Sequence, residues 1–312
     1  MPNEAPVSPR GCAILIQALT PLHPGSGTNP GVIDLPIQRE RHTRWPNIPA
    51  SALKGVFRDY SRQKVAQGRS AKEADADEQI VNVFGRSLKG DGEEKGGALS
   101  FTDARILAFP VRSLFGVYAL VTCPSALHRF SRDLTLTGMN ASDGQTPTVK
   151  DDDVLVTSDS VLKGTKSSVV LEEFPFTADS SVDGLFVALA ASLGISTETQ
   201  KRLAIISDDQ FTHFVENATE VQMRIALDYE TKTVQDGALF SQEFLPTETL
   251  LYSLVLASAS RNQNGHGSAA LASFQNWFGQ KQGSILQIGG DETVGKGFCR
   301  VTVHEDGKKG QV

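Results

Sequence analysis

Nine prolines and glycines interrupt the chain between Pro21 and Ala50 (Pro21, Pro24, Gly25, Gly27, Pro30, Gly31, Pro36, Pro46 and Pro49), and this stretch limits the fold more than any other. Proline lacks the backbone donor a helix needs and clashes with the preceding turn, so no helix can cross it. The stretch is also far longer than the roughly 4–6 residues of an ordinary connection, and long irregular segments in compact domains are usually kept for function. Its borders are regular. Before it, Cys12 to Leu19 (CAILIQAL) reads as a mostly buried strand. After it, Ser51 stands where an N-cap is needed, and Leu53, Val56, Phe57 and Tyr60 recur at helical spacing, predicting a helix to about Gln67.

Downstream, Gly85 to Gly97 is glycine-rich, charged and predicted to be mobile, and Ala98 to Phe109 and Phe115 to Thr122 read as strands joined by a Pro-Val-Arg-Ser turn. The order to this point is β-α-β-β. Helical patterns follow at Val182 to Leu193, Thr197 to Ile206 and Ser207 to Asn217, which predicts a mostly helical insertion over residues 136–220. Val221 to Leu227 and Ala238 to Leu245 read as hairpin arms around a polar tip, Asp228 to Gly237. The chain then repeats its opening: strand Leu250 to Ser258, helix Ser268 to Phe278 closed by Gly279, strands Ile285 to Ile288 and Gly297 to His304. The predicted class is α+β, with two ferredoxin-like halves (residues 12–135 and 246–304), a sheet covered on one face by helices, and a flexible tail over 305–312.

Composition removes several alternatives. With 39% hydrophobic and 21% charged residues, the chain is a globular one with material for a sizeable core. The longest apolar runs, Leu250 to Ala257 and Gly184 to Leu193, fall short of the roughly 20 residues that span a bilayer. The first ten residues lack the apolar core of a secretory signal, which places the protein in the cytoplasm as an expectation, away from membranes. Cys12, Cys123 and Cys299 are too far apart for a thiolate zinc motif and read as buried, reduced thiols. The net charge of −6 argues against a generic basic nucleic-acid binder, yet it hides a local surplus. Between Pro36 and Arg69 stand eight Lys or Arg and two acids.

Four motifs carry chemistry, each with a plainer reading beside it. Gly290-Asp-Glu-Thr-Val-Gly-Lys296-Gly297 nearly spells a nucleotide phosphate loop. Gly297, however, replaces the magnesium-binding hydroxyl, two acids would face phosphate, and a strand pattern follows instead of a helix, so a glycine-rich turn is favoured. The long stretch concentrates His23, Asp34, Arg39, Arg41 and His42 without core periodicity. Solvated surface charge explains this equally well, although a carboxylate among arginines suits phosphate chemistry. Lys54, Arg58 and Arg62 share one helix face, either simply wet or a track continuing the basic loop along a phosphodiester backbone. Asp151 to Asp153 reads as a solvated loop before a metal site, and His128, His213, His266 and His304 are isolated.

The runs LTPLHPGSGTNPGVIDLPIQRERHTRWPNIPASALKGVFRDY, GGALSFTDARILAFPVRS, RIALDYETKTVQDGALFSQEFLP and LQIGGDETVGKGFCRV resemble the backbone subunit of the Cmr complex, the type III-B CRISPR effector, in the Cas-seven-like branch of the RAMP superfamily. The resemblance spans about Cys12 to Val303. It implies an RRM-like palm and a protruding thumb, here residues 221–245 with Met223 and Arg224. Subunits of that kind stack head to tail on a guide RNA, beside the other Cmr subunits, and cut paired target RNA at six-nucleotide intervals. The family's catalytic aspartate, in its D-x-P-I-Q-R-E pattern, falls on Asp34 without a gap. His23 matches a histidine of the same pocket. Gln242 stands where a second acid is expected, leaving Glu243 as the lesser catalytic candidate. The resemblance further implies magnesium or manganese at Asp34, and RNA contacts from Arg39, Arg41, Ser51, Lys54, Arg58, Gly289, Gly290 and Lys296.

Overall fold

Strand β1 (Arg10–Ala18) sets the architecture, because its apolar side chains point both ways. Cys12, Ile14, Ile16 and Ala18 enter one buried cluster while Ala13 and Leu15 enter a second on the other face. A strand apolar at both parities must be covered on both sides. The computed structural model, which describes residues 10–28, 31–86, 96–139, 146–257, 266–280 and 282–304, shows that cover.

In chain order, β2 (Asn47–Ile48) leads into α1 (Ala50–Ala66), α2 (Ala71–Asp75) and α3 (Glu78–Phe84). Next come β3 (Leu99–Phe101), β4 (Ala104–Arg112), β5 (Tyr118–Thr122) and α4 (Pro124–Thr135). The middle of the chain holds β6 (Asp153–Val156), β7 (Ser168–Leu171), β8 (Phe174–Asp179), α5 (Asp183–Leu193), α6 (Thr197–Gln200), β9 (Leu203–Ile205) and α7 (Asp208–Asn217). The last part comprises β10 (Glu220–Leu227), β11 (Val234–Phe244), β12 (Leu250–Ala257), α8 (His266–Phe278), β13 (Ser284–Gln287) and β14 (Phe298–His304).

All strands except β10 and β11 join one mixed sheet in the order β13-β14-β1-β12-β4-β5-β9-β6-β8-β7, with β2 on β4 and β3 on β12. β1 and β12 run antiparallel at its heart, from Arg10↔Ala257 to Gln17↔Leu250. The repeated β-α-β-β order is present, but each half's later strands lie beside the other half's opening strand: β4 on β12, β14 on β1. Under one face α1 and α8 contribute Phe57, Phe274 and Phe278, whose ring centroids lie 4.7–5.5 Å apart. Under the other, α4 and α5 contribute Phe130, Leu134, Phe186 and Leu189.

The structure corrects several expectations. Helices cover both faces of the sheet, for the reason β1 gives. The insertion over 136–220 is mixed and not mostly helical: the predicted helix Thr197 to Ile206 stops at Gln200, and Leu203–Ile205 becomes a fully buried strand between β5 and β6. A four-residue apolar run is ambiguous by periodicity, and the sheet decided it. The strand from Ala98 to Phe109 breaks at Thr102-Asp103, freeing Asp103 to accept the Ala50 amide at the start of α1. β4 continues through Pro110 to Arg112, so its turn lies at 113–117. Helix α4, opened by Pro124, carries no sequence expectation. The three cysteines are buried with no disulfide, and burial pushes the Cys299 thiol up to about 12. Among the described residues no helix is long and apolar enough to cross a membrane. The mobile segment and tail expected at 85–97 and 305–312 lie largely outside the described residues.

Candidate active site at the base of the hairpin

The long proline-rich segment is built onto β11. Leu22 exchanges both backbone hydrogen bonds with Leu245 (2.9 and 2.8 Å), and Leu35 inserts between the Ser241 carbonyl and the Glu243 amide (3.0 Å each). Prolines 21, 24 and 36 block a helix, so the segment meets its backbone needs by lining the free edge of a strand more than 200 residues away. β10 holds the other edge of β11.

This seam fixes Asp34. Its Oδ2 accepts from the Ser241 amide and hydroxyl, both at 2.8 Å, while its own amide donates to that hydroxyl at 3.0 Å. These donors hold the carboxyl below the ordinary carboxylate range, the backbone bond contributing most. Asp34 is exposed, and Oδ1 makes no hydrogen bond among the described residues. Ser241 pairs directly with Met223 across the hairpin, so the 63% exposed Met223 stands next to the aspartate's anchor. The result is an ionised carboxylate with one oxygen pinned and one free, beside an apolar knob.

His23, in the same segment, is buried against Glu243, two positions further along β11 than Ser241. Its Nδ1 donates to the Glu243 carbonyl at 2.6 Å, because a carbonyl can only accept. The ring lies against Phe244, with centroids 5.5 Å apart. Glycines make room for it: a Cβ on Gly25 would sit 2.7 Å from Nε2, and one on Gly289, at φ +82°, 2.4 Å from the His23 carbonyl. Gly289 and Gly290 thus pack the histidine loop, with the Gly290 amide donating to the His23 carbonyl at 3.0 Å.

Glu243 is a support. Its Oε1 accepts from Arg39 at 2.6 Å and from Thr219 at 2.9 Å, and its Oε2 from the Ile37 amide at 3.0 Å. With that side chain 4% exposed and filled by internal donors, the catalytic candidacy of Glu243 is corrected to a structural role. Arg39 is corrected with it. Its guanidinium, 9% exposed, also donates to the Arg44 and Val215 carbonyls, so it braces the segment and offers no fork to RNA.

The remaining expected contacts divide. Ser51 is exposed in the first turn of α1 but does not cap it; Pro49 holds the cap position, and Ser51 is the second residue of the helix. Lys54 is half-buried, makes no ion pair among the described residues, and has its pKa lowered by burial and by neighbouring Arg58. Arg58 is tied to Asp75 of α2 at 2.8 Å, with Arg62 within 3.8 Å of the same carboxylate, so the basic stripe is largely neutralised. Arg41 is exposed. Arg224 lies on the hairpin face opposite Met223, bonded to Asp291 at 2.8 Å, and Gln242 donates to the same carboxylate at 2.7 Å. Lys296 and Arg224 both sit over the Phe244 ring, at 5.0 and 5.5 Å. The turn at 290–297 feeds β14 and no helix, which leaves no phosphate-loop context. The hairpin tip is shorter than expected, Asp228 to Thr233, because β11 begins at Val234 and Asp228 folds the tip over its own carboxylate.

Sequence reasoning missed Ser241 and Thr219, whose roles come from pairings 207 and 24 residues apart. Asp291 was visible in the glycine-rich turn, but its tie to Arg224, 67 residues away, was not. No group of three or more His, Cys, Asp or Glu among the described residues could hold a metal ion. Asp34 contributes a single open oxygen, a donor set that fits magnesium or manganese only when ligands from outside the chain complete the shell.

The model of the RAMP superfamily matches residues 15–300. This chain belongs to the RAMP superfamily. Within it, the chain is 40% identical over 298 residues to the CRISPR system Cmr endoribonuclease Cmr4 of Pyrococcus furiosus, covering 93% of this chain and 94% of that protein. The crystal structure of oligomeric Cmr4 from the same organism superposes with a TM-score of 0.73 at 32% identity, over 96% of this chain and all of that one. At 22% identity, a chain of the type III-B Cmr-beta complex bound to cognate target RNA shares the fold, with a TM-score of 0.70 over 94% and 96% of the two chains.

Proposed function

We propose that the chain is the guide-RNA-binding backbone subunit of a type III-B CRISPR effector and an endoribonuclease acting on the paired target. In this reading the sheet is an RRM-like palm, the β10–β11 hairpin a thumb, and copies stack head to tail along the guide with the other subunits of the complex. The observation that carries it is the free Oδ1 of Asp34 held beside exposed Met223 at the thumb base. A thumb that pushes one nucleotide out of the duplex presents its ribose and phosphate at that carboxylate.

The chemistry is attack of the ribose 2′-hydroxyl on its own 3′-phosphate, leaving a 2′,3′-cyclic phosphate and a 5′-hydroxyl, repeated at six-nucleotide intervals. DNA, lacking the hydroxyl, is spared. A carboxylate held below its usual range is a poor base at neutral pH, so Asp34 acts by accepting and orienting the 2′-hydroxyl in line. The His23 ring keeps the backbone of this edge in place through Nδ1. Asp34 is the residue that would hold magnesium or manganese, which would supply stabilisation of the negative charge that builds on the phosphoryl oxygens. Lys54, Arg41, Ser51 and Lys296 are the exposed or half-exposed groups available to the guide backbone.

Asp34→Ala separates this reading from a non-catalytic RNA scaffold of the same build. In the assembled complex with magnesium, evenly spaced target cleavage should drop by about a hundredfold or more, with guide and target binding retained. Cleavage at the wild-type rate would leave the scaffold.

A further inference from the structure

Strand β14 alternates along its first half: Cys299 and Val301 are buried in the core that α1 and α8 cover, while Phe298 and Arg300 face the other way and are exposed. Its neighbour β13 does the same, with Leu286 buried and Ile285 50% exposed. On that second face the layer of α4 and α5 buries Ala13 and Leu15 of β1, and the cover stops before β14. The open positions of a half-covered antiparallel sheet are ordinarily polar. Here two of them are Ile285 and Phe298, the latter 37% exposed. Phe298 stands opposite Gln287 and Arg300 opposite Ile285, so the ring and the aliphatic chain are diagonal neighbours with the guanidinium between them on the same face.

The ring stands on a stiff backbone. The Phe298 amide donates to the Thr20 hydroxyl at 3.0 Å, and its carbonyl accepts from the Leu19 and Thr20 amides at 2.8 and 3.2 Å. Just before it, Gly297 has φ +75°, and a Cβ there would sit 2.1 Å from the Ile288 carbonyl oxygen, so the glycine-rich turn closes tightly against the strand. Charge then selects the ligand. Arg300 donates to the Gln17 side-chain oxygen at 3.2 Å and makes no ion pair among the described residues, while the nearby acid Glu248 is taken by Gln17 at 2.7 Å. Lys296, two residues before Phe298, lies over the Phe244 ring and also makes no ion pair among the described residues. Of the two acids in the turn, Asp291 is bound by Arg224 and Glu292 stands free. Two unanswered cations against one unanswered carboxylate favour an anion. A ring, a guanidinium and one aliphatic chain make a platform for a single nucleotide, whereas a specific protein contact takes roughly 20–30 residues a side. Unpaired bases stack on aromatic side chains of open sheets, with neighbouring cations on the phosphates.

We propose that Phe298 and Arg300, on the open face of β13 and β14, hold one unpaired nucleotide of the guide RNA, its base on the ring and its phosphate on the guanidinium. This rests on the reading of the chain as a guide-binding subunit with a displacing hairpin. Each target nucleotide pushed out of the duplex leaves one guide base without a partner, once in every repeat, and an aromatic ring restores the stacking that base has lost.

The test measures guide affinity in the assembled complex with intact guides and with guides carrying an abasic residue at each position of the repeat in turn. Phe298→Ala should weaken binding of the intact guide about tenfold, within the range of one lost base stack. Phe298→Trp should bind like the wild type, and Phe298→Leu, apolar but without a ring, should lose about as much as alanine. At one position of the repeat the abasic guide should weaken the wild type by the same factor and cost the Phe298→Ala complex nothing further. Because the abasic guide leaves the protein intact, a folding defect in a variant cannot imitate that result. Arg300→Ala should lower the salt dependence of binding by about one phosphate contact. Abasic guides that bind the wild type normally at every position overturn the proposal, as does Phe298→Leu binding like the wild type. A Phe298→Ala complex that keeps its guide affinity but sheds a protein subunit also overturns it and gives this face to a protein. A wild-type complex with no affinity for guide RNA sinks the guide-binding reading itself; the other adverse outcomes sink this site alone.

Discussion

The two ends of β11 obey opposite rules. From Ser241 to Leu245 the strand is gripped on both edges, by β10 and by the proline-rich segment, and Ser241, Gln242, Glu243, Phe244 and Leu245 are all buried. Toward Val234 only β10 pairs with it, and Leu239 and Val234 are exposed, as are Ile225 and Leu227 on the partner strand. A two-stranded ribbon without a packed face is marginal by itself, so the outer hairpin is held by its base. The lesson is a division of labour: the base fixes a carboxylate in place, and the arm presents apolar surface to whatever arrives.

The buried Arg39–Glu243 pair is where that contrast breaks most severely. Removing one partner of a buried, hydrogen-bonded ion pair costs about 3–5 kcal/mol, because the other charge stays buried alone. Glu243→Ala should therefore lower the unfolding free energy by several kcal/mol in a denaturant titration, also stranding the Thr219 hydroxyl and the Ile37 amide. A loss under about 1 kcal/mol would mean the base is no more rigid than the arm.

How much of this was legible follows from how far each signal travels. The stripe Leu53, Val56, Phe57 and Tyr60 correctly marked one face of α1, since periodicity is local, and the burial of Ser61 merely extends it. The hairpin, the repeated β-α-β-β order and the place of Asp34 in a loop outside the core were also readable. What stayed hidden depends on distant partners. Arg39 reads as a phosphate fork until Glu243, Val215 and Arg44 are seen to consume it, and Arg58 until Asp75 does the same. Charge in a sequence says nothing of whether it is already answered.

Ser241→Ala sharpens the comparison at the site itself. Asp34 loses one of two Ser241 donors to Oδ2, a bond to a charged group that water weakens here. In the wild type the folded carboxyl is depressed, so its contribution to stability is complete above the unfolded value near 3.8 and disappears as pH falls through the lower folded one. The substitution should move the Asp34 titration upward toward 3.8 in an NMR experiment, and slow target cleavage by roughly fivefold to tenfold, about 1 kcal/mol in the barrier. Cleavage should show no inflection from Asp34 between pH 6 and 9 in either protein, on the order expected for an unperturbed carboxylate or lower. An unmoved titration would mean that Ser241 does not set the carboxylate.

Asp291→Asn is expected to matter less, because Arg224 and Asp291 are partly solvated, and such pairs contribute about 1 kcal/mol or under. Its effect should show as faster amide exchange in β10 rather than as lost stability, since it loosens the arm's ion pair with the glycine-rich turn. Smallest of all is Ile225→Thr on the outer hairpin. An exposed substitution away from caps, cores and ion pairs shifts stability by no more than about 0.5 kcal/mol, and threonine keeps the β-branched form a strand favours. Unchanged unfolding together with weaker target engagement would place the value of that apolar face in the contact it makes. A clear loss of stability would instead show the arm packing against its own chain, and the contrast between the two ends of β11 would disappear.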